Sequence, residues 1–292
     1  MANSPAAEIT FDESQVRTLL RTSAPHLAEL SLRLVAAGWD NAIWRIGDDL
    51  ALRLPRRDAS LPLAEHEQRA LPDIGPRLAA IGIRTPMPLL AGHASESFPW
   101  PWSIVPWVEG EHALGIERSE NTRWARTLAA ALSALHRTAP EDAPRNPVRG
   151  VPLRERDAVM TERVRSVAMS PIIAQAWRDG VDAEPTRERV WIHGDLHPGN
   201  VIVRDGALCA LIDFGDVTAG DPAYDLAAAW LLFDGTGHTT FRRATRARYD
   251  DATWVRARAW AAYLAIVFLT QMDDRPEFRR LGSRTALALA ER

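Results

Sequence analysis

The chain has 292 residues, enough for one large domain or for two modest ones that share a cleft. Hydrophobic residues make up 46% and charged residues 25%, the balance of an ordinary globular protein, and a net charge of −3 gives no reason to expect a nucleic-acid or membrane-surface partner. A single cysteine, Cys209, excludes an internal disulfide framework and fits a reducing compartment, so the cytoplasm is the expected location.

The first residues, MANSPAAEITFDESQV, lack the basic region and apolar core of a secretory signal. A short helix is expected from Asp12 to Arg21. Three strands follow, Leu30–Ala36, Ala42–Gly47 and Leu50–Leu54, separated by the turn-forming AGWDN and GDD. Leu63 to Gly75 reads as a helix with charged residues on one side, and Trp102 to Gly110 as a further strand running into a loop. Residues 1–108 are thus expected to form an antiparallel sheet with one helix, and residues 109–292 a mostly helical unit. In that second part Asn121 to His136 has a period near 3.6, and the Pro-rich Ala139 to Pro152 reads as a loop between helices. Arg189–His193 and the stretch from Asn200 to Asp216 read as short strands, with Asp205-Gly206 supplying a hairpin turn. Trp260 to Leu269 is the longest apolar run, too short for a bilayer, and is expected as a buried helix. The fold class is α+β with two lobes, and ligands favour the cleft that such lobes create.

The chemistry is concentrated in HGDLHPGN and LIDFGD. Asp195 and Asn200 lie five apart in a loop leaving an apolar strand, and Asp213 ends a second apolar strand thirteen residues later. Phosphoryl transfer needs this set of groups. One carboxylate orients the attacking hydroxyl, while another carboxylate and an amide oxygen hold Mg²⁺ against the phosphates. Taken singly, each of these residues is an ordinary turn former. Zinc is disfavoured, because His193 and His197 lack the glutamate of an HExxH helix and Cys209 is the sole thiol.

These segments resemble the aminoglycoside phosphotransferase family of the protein-kinase-like superfamily. WIHGDLHPGNVIV and LIDFGDVTAGDPAYDLA are similar to that family's catalytic loop and metal-binding segment. The resemblance extends upstream to GWDNAIWRIGDDLALRLPRR, EQRALP and PWPWSIVPWVEGE, and so covers about Leu32 to Trp230. It implies a kinase-like bilobal fold, with ATP or GTP as donor and a hydroxyl-bearing small molecule as acceptor, antibiotic-like in the aminoglycoside or macrolide manner. By it Asp195 is the catalytic aspartate, and Asn200 and Asp213 are the Mg²⁺ ligands. His193 braces the loop, Asp216 assists the metal or caps a turn, and Asp225 either ties down the catalytic loop or serves as a carboxylate at a helix start. His197 either meets substrate and phosphates or is merely exposed. The turn from Trp39 to Asn41 is expected over the nucleotide phosphates. The hinge falls at VPWVEG, where the Pro106 carbonyl and the Val108 N–H would hold the base.

One position departs from the family. All 35 basic residues are arginines, so the strand that carries the family's phosphate-binding lysine offers Arg53. Arginine keeps its charge and adds a fork suited to phosphate and carboxylate, and Glu67 is the expected helix partner, with Glu65 second. With Asp195, Asn200 and Asp213 all present, a pseudokinase or nucleotide-binding scaffold is the weaker alternative. From Thr236 onward six acidic residues face eleven arginines, with no acidic bias toward a polycationic acceptor. A sugar or amino-alcohol kinase therefore stays open.

Overall fold

The computed structural model describes residues 7–38, 40–96, 98–166, 171–272 and 275–291. The turn residue Trp39, and Asp273 and Asp274 among the acids counted above, lie outside the described residues. Helix α1 (Glu13–Ser23) starts on a reciprocal cap. Asp12 accepts the Gln15 N–H at 2.9 Å, and the Gln15 side chain accepts the Asp12 N–H at 3.0 Å. Its Val16, Leu19 and Leu20, three and four apart, lie on one face and are buried in the same core as Trp44, Leu52, Leu54 and Ile104. Those residues belong to an antiparallel sheet of β1 (Leu32–Ala37), β2 (Asn41–Ile46), β3 (Leu50–Pro55), β4 (Leu90–Gly92) and β5 (Trp102–Pro106), in the order β1-β2-β3-β5-β4.

Helix α2 (Leu61–Ala79) runs four residues beyond the end expected at Gly75. Pro72 and Pro76 both lie inside it, and each lacks the N–H of an internal helix bond. Burial overrides that loss: Ala70, Leu71, Ile74 and Leu78 are fully buried on one face, and Leu78 is reached only if the helix continues. This face joins the core of the helical half, with Leu128 and Leu132, and not the core under the sheet.

The second half adds β6 (Glu111–His112), α3 (Arg118–Asn121), α4 (Ala125–Leu135), α5 (Asp157–Ser166), α6 (Pro171–Asp182) and β7 (Val190–Ile192). The hairpin of β8 (Val201–Arg204) and β9 (Ala207–Leu211) turns at Asp205 and Gly206, with φ of 53° and 73°, the left-handed pair that an Asp-Gly turn requires. Then come β10 (Thr218–Gly220), α7 (Ala223–Leu226), α8 (Ala228–Leu232), α9 (Gly235–Thr245), α10 (Asp251–Thr270) and α11 (Pro276–Glu291). The apolar run from Trp260 to Leu269 sits inside α10, which is buried on most sides between α6, α7 and α11. Strands β4, β6 and β10, of two or three residues each, were not anticipated, because pieces so short carry no visible alternation. Among the described residues no helix is long and apolar enough to cross a membrane.

Candidate active site

Strands β7 and β10 pair antiparallel, and the chain between them holds the loop, the β8–β9 hairpin and the Asp-Phe-Gly segment. His193 leaves β7 fully buried. Its Nε2–H donates to the Ile212 carbonyl at 3.0 Å and its Nδ1 accepts the Asp195 N–H at 3.3 Å, so the ring joins the loop to the strand after it. It also lies 4.4 Å from the Phe214 ring, centroid to centroid. Gly194 has φ of +80°, and a Cβ there would sit 2.3 Å from the Asp216 carbonyl, so only glycine fits this crossing. Asp225, at the start of the first helix after β10, receives the His193 N–H (2.7 Å) and the Gly194 N–H (3.0 Å), and His136 Nε2 lies 3.0 Å from it. All of these groups are buried.

Asp195 is the focus of the loop. Asn200 Nδ2 donates to its carbonyl at 2.8 Å and to its Oδ2 at 3.1 Å. His197 Nδ1 accepts the Gly199 N–H at 3.0 Å, which places the proton of a neutral ring on Nε2, 3.4 Å from Asp195 Oδ2. His197 is therefore committed to the loop, packed edge-on against Phe268 and Phe278, and is not exposed. Burial pushes the Asp195 carboxyl upward, but His197 and Arg149 outweigh it and hold the group well below the usual carboxylate range.

The Ile212 N–H bonds to the Asn200 carbonyl at 3.0 Å, which sets Asp213 one residue from Asn200 across the hairpin. Asp213 has φ of 63°, a left-handed conformation that aspartate tolerates better than most residues, and its side chain is 53% exposed. Among the described residues no group of three or more His, Cys, Asp or Glu is arranged to hold a metal. The Asn200 amide oxygen and the Asp213 carboxylate are two hard oxygen donors. That is the number magnesium takes from protein when phosphates and water complete its shell, so these residues fit the ion.

Arg53 points from β3 into the same place. Its Nη1 donates to Glu67 Oε1 on α2, and its Nη2 lies 3.5 Å from Asp213 Oδ1. Glu67 also accepts the Phe214 N–H at 3.0 Å. Burial works against the guanidinium's charge, yet Glu67 and Asp213 together lift its pKa above the ordinary value. Of the two expected partners the structure brings Glu67 to Arg53 and not Glu65: Glu67 is buried, while Glu65 is exposed. Asn41 and Asp213 line the same narrow cleft as Arg53 and Glu67. At the hinge the Trp107 N–H donates to the Asp49 carbonyl at 2.7 Å, so across that trans peptide the Pro106 carbonyl points the other way. Strand β4 pairs with β5 only as far as Ile104, which leaves that side of Pro106 beyond its end.

The Pro-rich loop holds a residue that sequence reasoning did not single out. Arg149 Nη2 lies 3.4 Å from Asp195 Oδ1 and 3.6 Å from Asp216 Oδ2. Nothing in NPVRG marks it, because the contact spans 46 residues of chain. Beside this loop a cavity of about 920 Å³ is lined by Asn146, Gly150, Thr218 and Asp221 among others.

A two-lobed kinase-like architecture with this hairpin defines a phosphotransferase. The model of the APH phosphotransferase enzyme family matches residues 31–260, and the chain belongs to that family. It is similar in fold to the GDP and kanamycin complex of APH(2")-IIia, at a TM-score of 0.71 and 17% identity over 94% of this chain and 98% of that one. The streptomycin-ATP complex of APH(2")-IIa matches at 0.62 and 15% over 89% and 91%. Macrolide 2'-phosphotransferase MphH from Brachybacterium faecium matches at 0.62 and 21% over 92% and 97%. No curated protein matches the chain by sequence.

Proposed function

We propose that this phosphotransferase moves the γ-phosphoryl group of ATP or GTP to a hydroxyl of an antibiotic-like small molecule, of aminoglycoside or macrolide type. One observation carries the reading: Arg53, Glu67 and Asp213, drawn from three separate parts of the chain, line one cleft, and the hairpin sets Asn200, bonded to Asp195, one residue from Asp213. In this reading residues 1–108 cover the nucleotide and residues 109–292 carry the hairpin and the acceptor site. The fold neighbours bound to GDP or ATP, and to kanamycin or streptomycin, support both donor and acceptor class.

Asp195 Oδ1 and Oδ2 are held by donors on three sides, so the carboxylate is fixed before substrate arrives. Its task is to receive the acceptor's O–H, align the oxygen with the phosphorus and take the proton late in the transfer. Arg53 lies where it can neutralise phosphate charge, with Glu67 fixing its fork. Asn200 and Asp213 would hold the magnesium ion, which when bound offsets the negative charge on the phosphates. The Pro106 carbonyl and Val108 N–H would take the base, and Asn41 would approach the phosphates. His193 and Asp225 act on the loop's backbone, and Asp216 on Arg149.

The 920 Å³ cavity has the size of a site for a drug-sized molecule and adjoins the Arg149 loop through Asn146 and Gly150, but Asp195 is not among its lining residues. In its lining Arg256 and Asp221 are paired at 2.6 Å, which leaves Arg145, Arg154 and Arg189 against Glu155 and Glu188, a balance with no acidic bias toward a polycation. The test is a coupled ADP and GDP release screen across macrolides, aminoglycosides, neutral sugars and amino alcohols. Turnover with a macrolide or an aminoglycoside supports the reading. Turnover confined to sugars or amino alcohols overturns the antibiotic acceptor, and absence of any nucleotide-dependent thermal shift overturns the kinase itself.

A further inference from the structure

The Arg149 side chain stands outside the catalytic hairpin yet touches its central carboxylate. It comes from the loop between α4 and α5, and that loop is anchored. Thr218 Oγ1 donates to the Pro144 carbonyl at 2.8 Å and receives the Asn146 N–H at 3.2 Å. Asn146 Oδ1 in turn accepts the N–H groups of Val148 and Arg149 at 2.9 and 3.0 Å, while its Nδ2 donates to Asp216 Oδ1 at 2.6 Å. The backbone beneath Arg149 is therefore set by β10, the strand that follows the Asp-Phe-Gly segment. Its guanidinium lies over the Tyr224 ring, 5.6 Å from the centroid.

Two carboxylates, Asp195 and Asp216, share this one guanidinium. Each would repel the other at such range, and the one Nη2 set between them, 3.4 and 3.6 Å away, offsets that repulsion and ties the two side chains together. Two polar atoms of the same cluster, Arg149 Nε and Tyr224 Oη, are buried with no hydrogen-bond partner among the described residues. Functional sites tolerate such a deficit more readily than packing cores do.

We propose that Arg149 is a positioning residue for phosphoryl transfer: it aims the Asp195 carboxylate at the acceptor hydroxyl by bridging Asp195 to Asp216. The inference rests on Asp195 being the group that meets the acceptor. The effect falls on turnover and spares nucleotide affinity, because Arg53, Asn200 and Asp213 keep their own contacts without it. Lysine at 149 retains the charge on a shorter stem and loses the guanidinium plane that lies over the Tyr224 ring.

Three variants, Arg149→Ala, Arg149→Lys and Asp195→Ala, are assayed with Mg²⁺ and ATP or GTP, with water and the screened acceptors as phosphoryl acceptors. Arg149→Ala is expected to lower kcat by about 100-fold, with the Kd for nucleotide within about threefold of the parent. Arg149→Lys is expected to recover part of that loss. Millimolar guanidinium ion should restore turnover to Arg149→Ala by about tenfold and leave Asp195→Ala unchanged. Turnover of Arg149→Ala within threefold of the parent overturns the inference, as does a loss that guanidinium does not relieve. If the alanine variant does not fold, the lysine variant decides, and full activity there overturns it as well. A crystal structure of Arg149→Lys supplies a readout free of turnover. A turned Asp195 carboxylate supports the inference, and an unmoved one overturns it. If Asp195→Ala itself keeps full activity, the reading of Asp195 has failed and not merely that of Arg149.

Discussion

Arg53 on β3 and Glu67 on α2 form a buried ion pair, their side chains 13% and 4% exposed. Glu67 holds the Phe214 N–H with its other oxygen, so one carboxylate links a strand, a helix and the segment after Asp213. Removing one partner leaves a buried charge without compensation, which typically costs about 3–5 kcal/mol. Arg53→Ala should therefore lower the stability of the fold by roughly that amount and weaken ATP and GTP binding by about tenfold or more. Arg53→Lys should retain partial activity at most, since length and fork both change. Denaturant melts and calorimetric titration read both effects, and unchanged nucleotide affinity would remove Arg53 from the site.

Asp195→Asn keeps the size of the side chain and its contact with His197 while removing the proton acceptor. Turnover should fall by about 10²–10⁴. Nucleotide affinity should hold, because the proposed role of Asp195 is toward the acceptor and not the nucleotide. A steady-state assay beside a nucleotide-induced thermal shift separates the two, and loss of both together would place Asp195 elsewhere.

Asn200→Ala removes one of the two oxygens assigned to magnesium. The Mg²⁺ concentration for half-maximal turnover should rise about tenfold, the order seen when metal-site partners are lost. Titrating Mg²⁺ at fixed ATP measures it. An unchanged midpoint would take Asn200 out of the metal shell.

Asp225→Ala leaves the His193 and Gly194 N–H groups buried and unanswered. At roughly 1–3 kcal/mol for each orphaned group, a loss of about 3 kcal/mol is expected in a urea melt. Asp225→Asn, which keeps one acceptor oxygen, should cost about half as much. Equal losses in the two variants would show that the backbone bonds are not the reason for the aspartate.

Gly180 lies where α6 crosses α10, and a Cβ there would sit 2.2 Å from the Ala259 Cβ. Gly180→Ala should force the helices apart and destabilise the protein by roughly 1–3 kcal/mol, despite the better helix propensity of alanine. A melting temperature at or above that of the parent would contradict this crossing.

The legible parts of the molecule were those written locally. Asp-Gly at 205–206 and the strand of Leu50–Leu54 are each set within a few residues, and the structure places the turn and the strand where they were expected. The burial of Glu67 was not legible, because its neighbours Glu65, His66 and Gln68 are polar and only the β3 and Phe214 contacts draw it in. His197 showed the same limit: a loop histidine reads as exposed until Phe268 and Phe278, some 70 to 80 residues on, are seen to enclose it. Arg149 was invisible for the same reason. What the chain says over long distances is written in packing.

The apolar face of α2 is shared with Leu128 and Leu132 of the helical half, while its Glu67 reaches across to the sheet. In regulated protein kinases the glutamate-bearing helix can be displaced, and activity is switched by breaking its pair with the strand cation. Here such a displacement would have to tear Ile74 and Leu78 out of a dry core first. Moving α2 off the sheet would thus cost buried apolar surface as well as the Arg53–Glu67 pair.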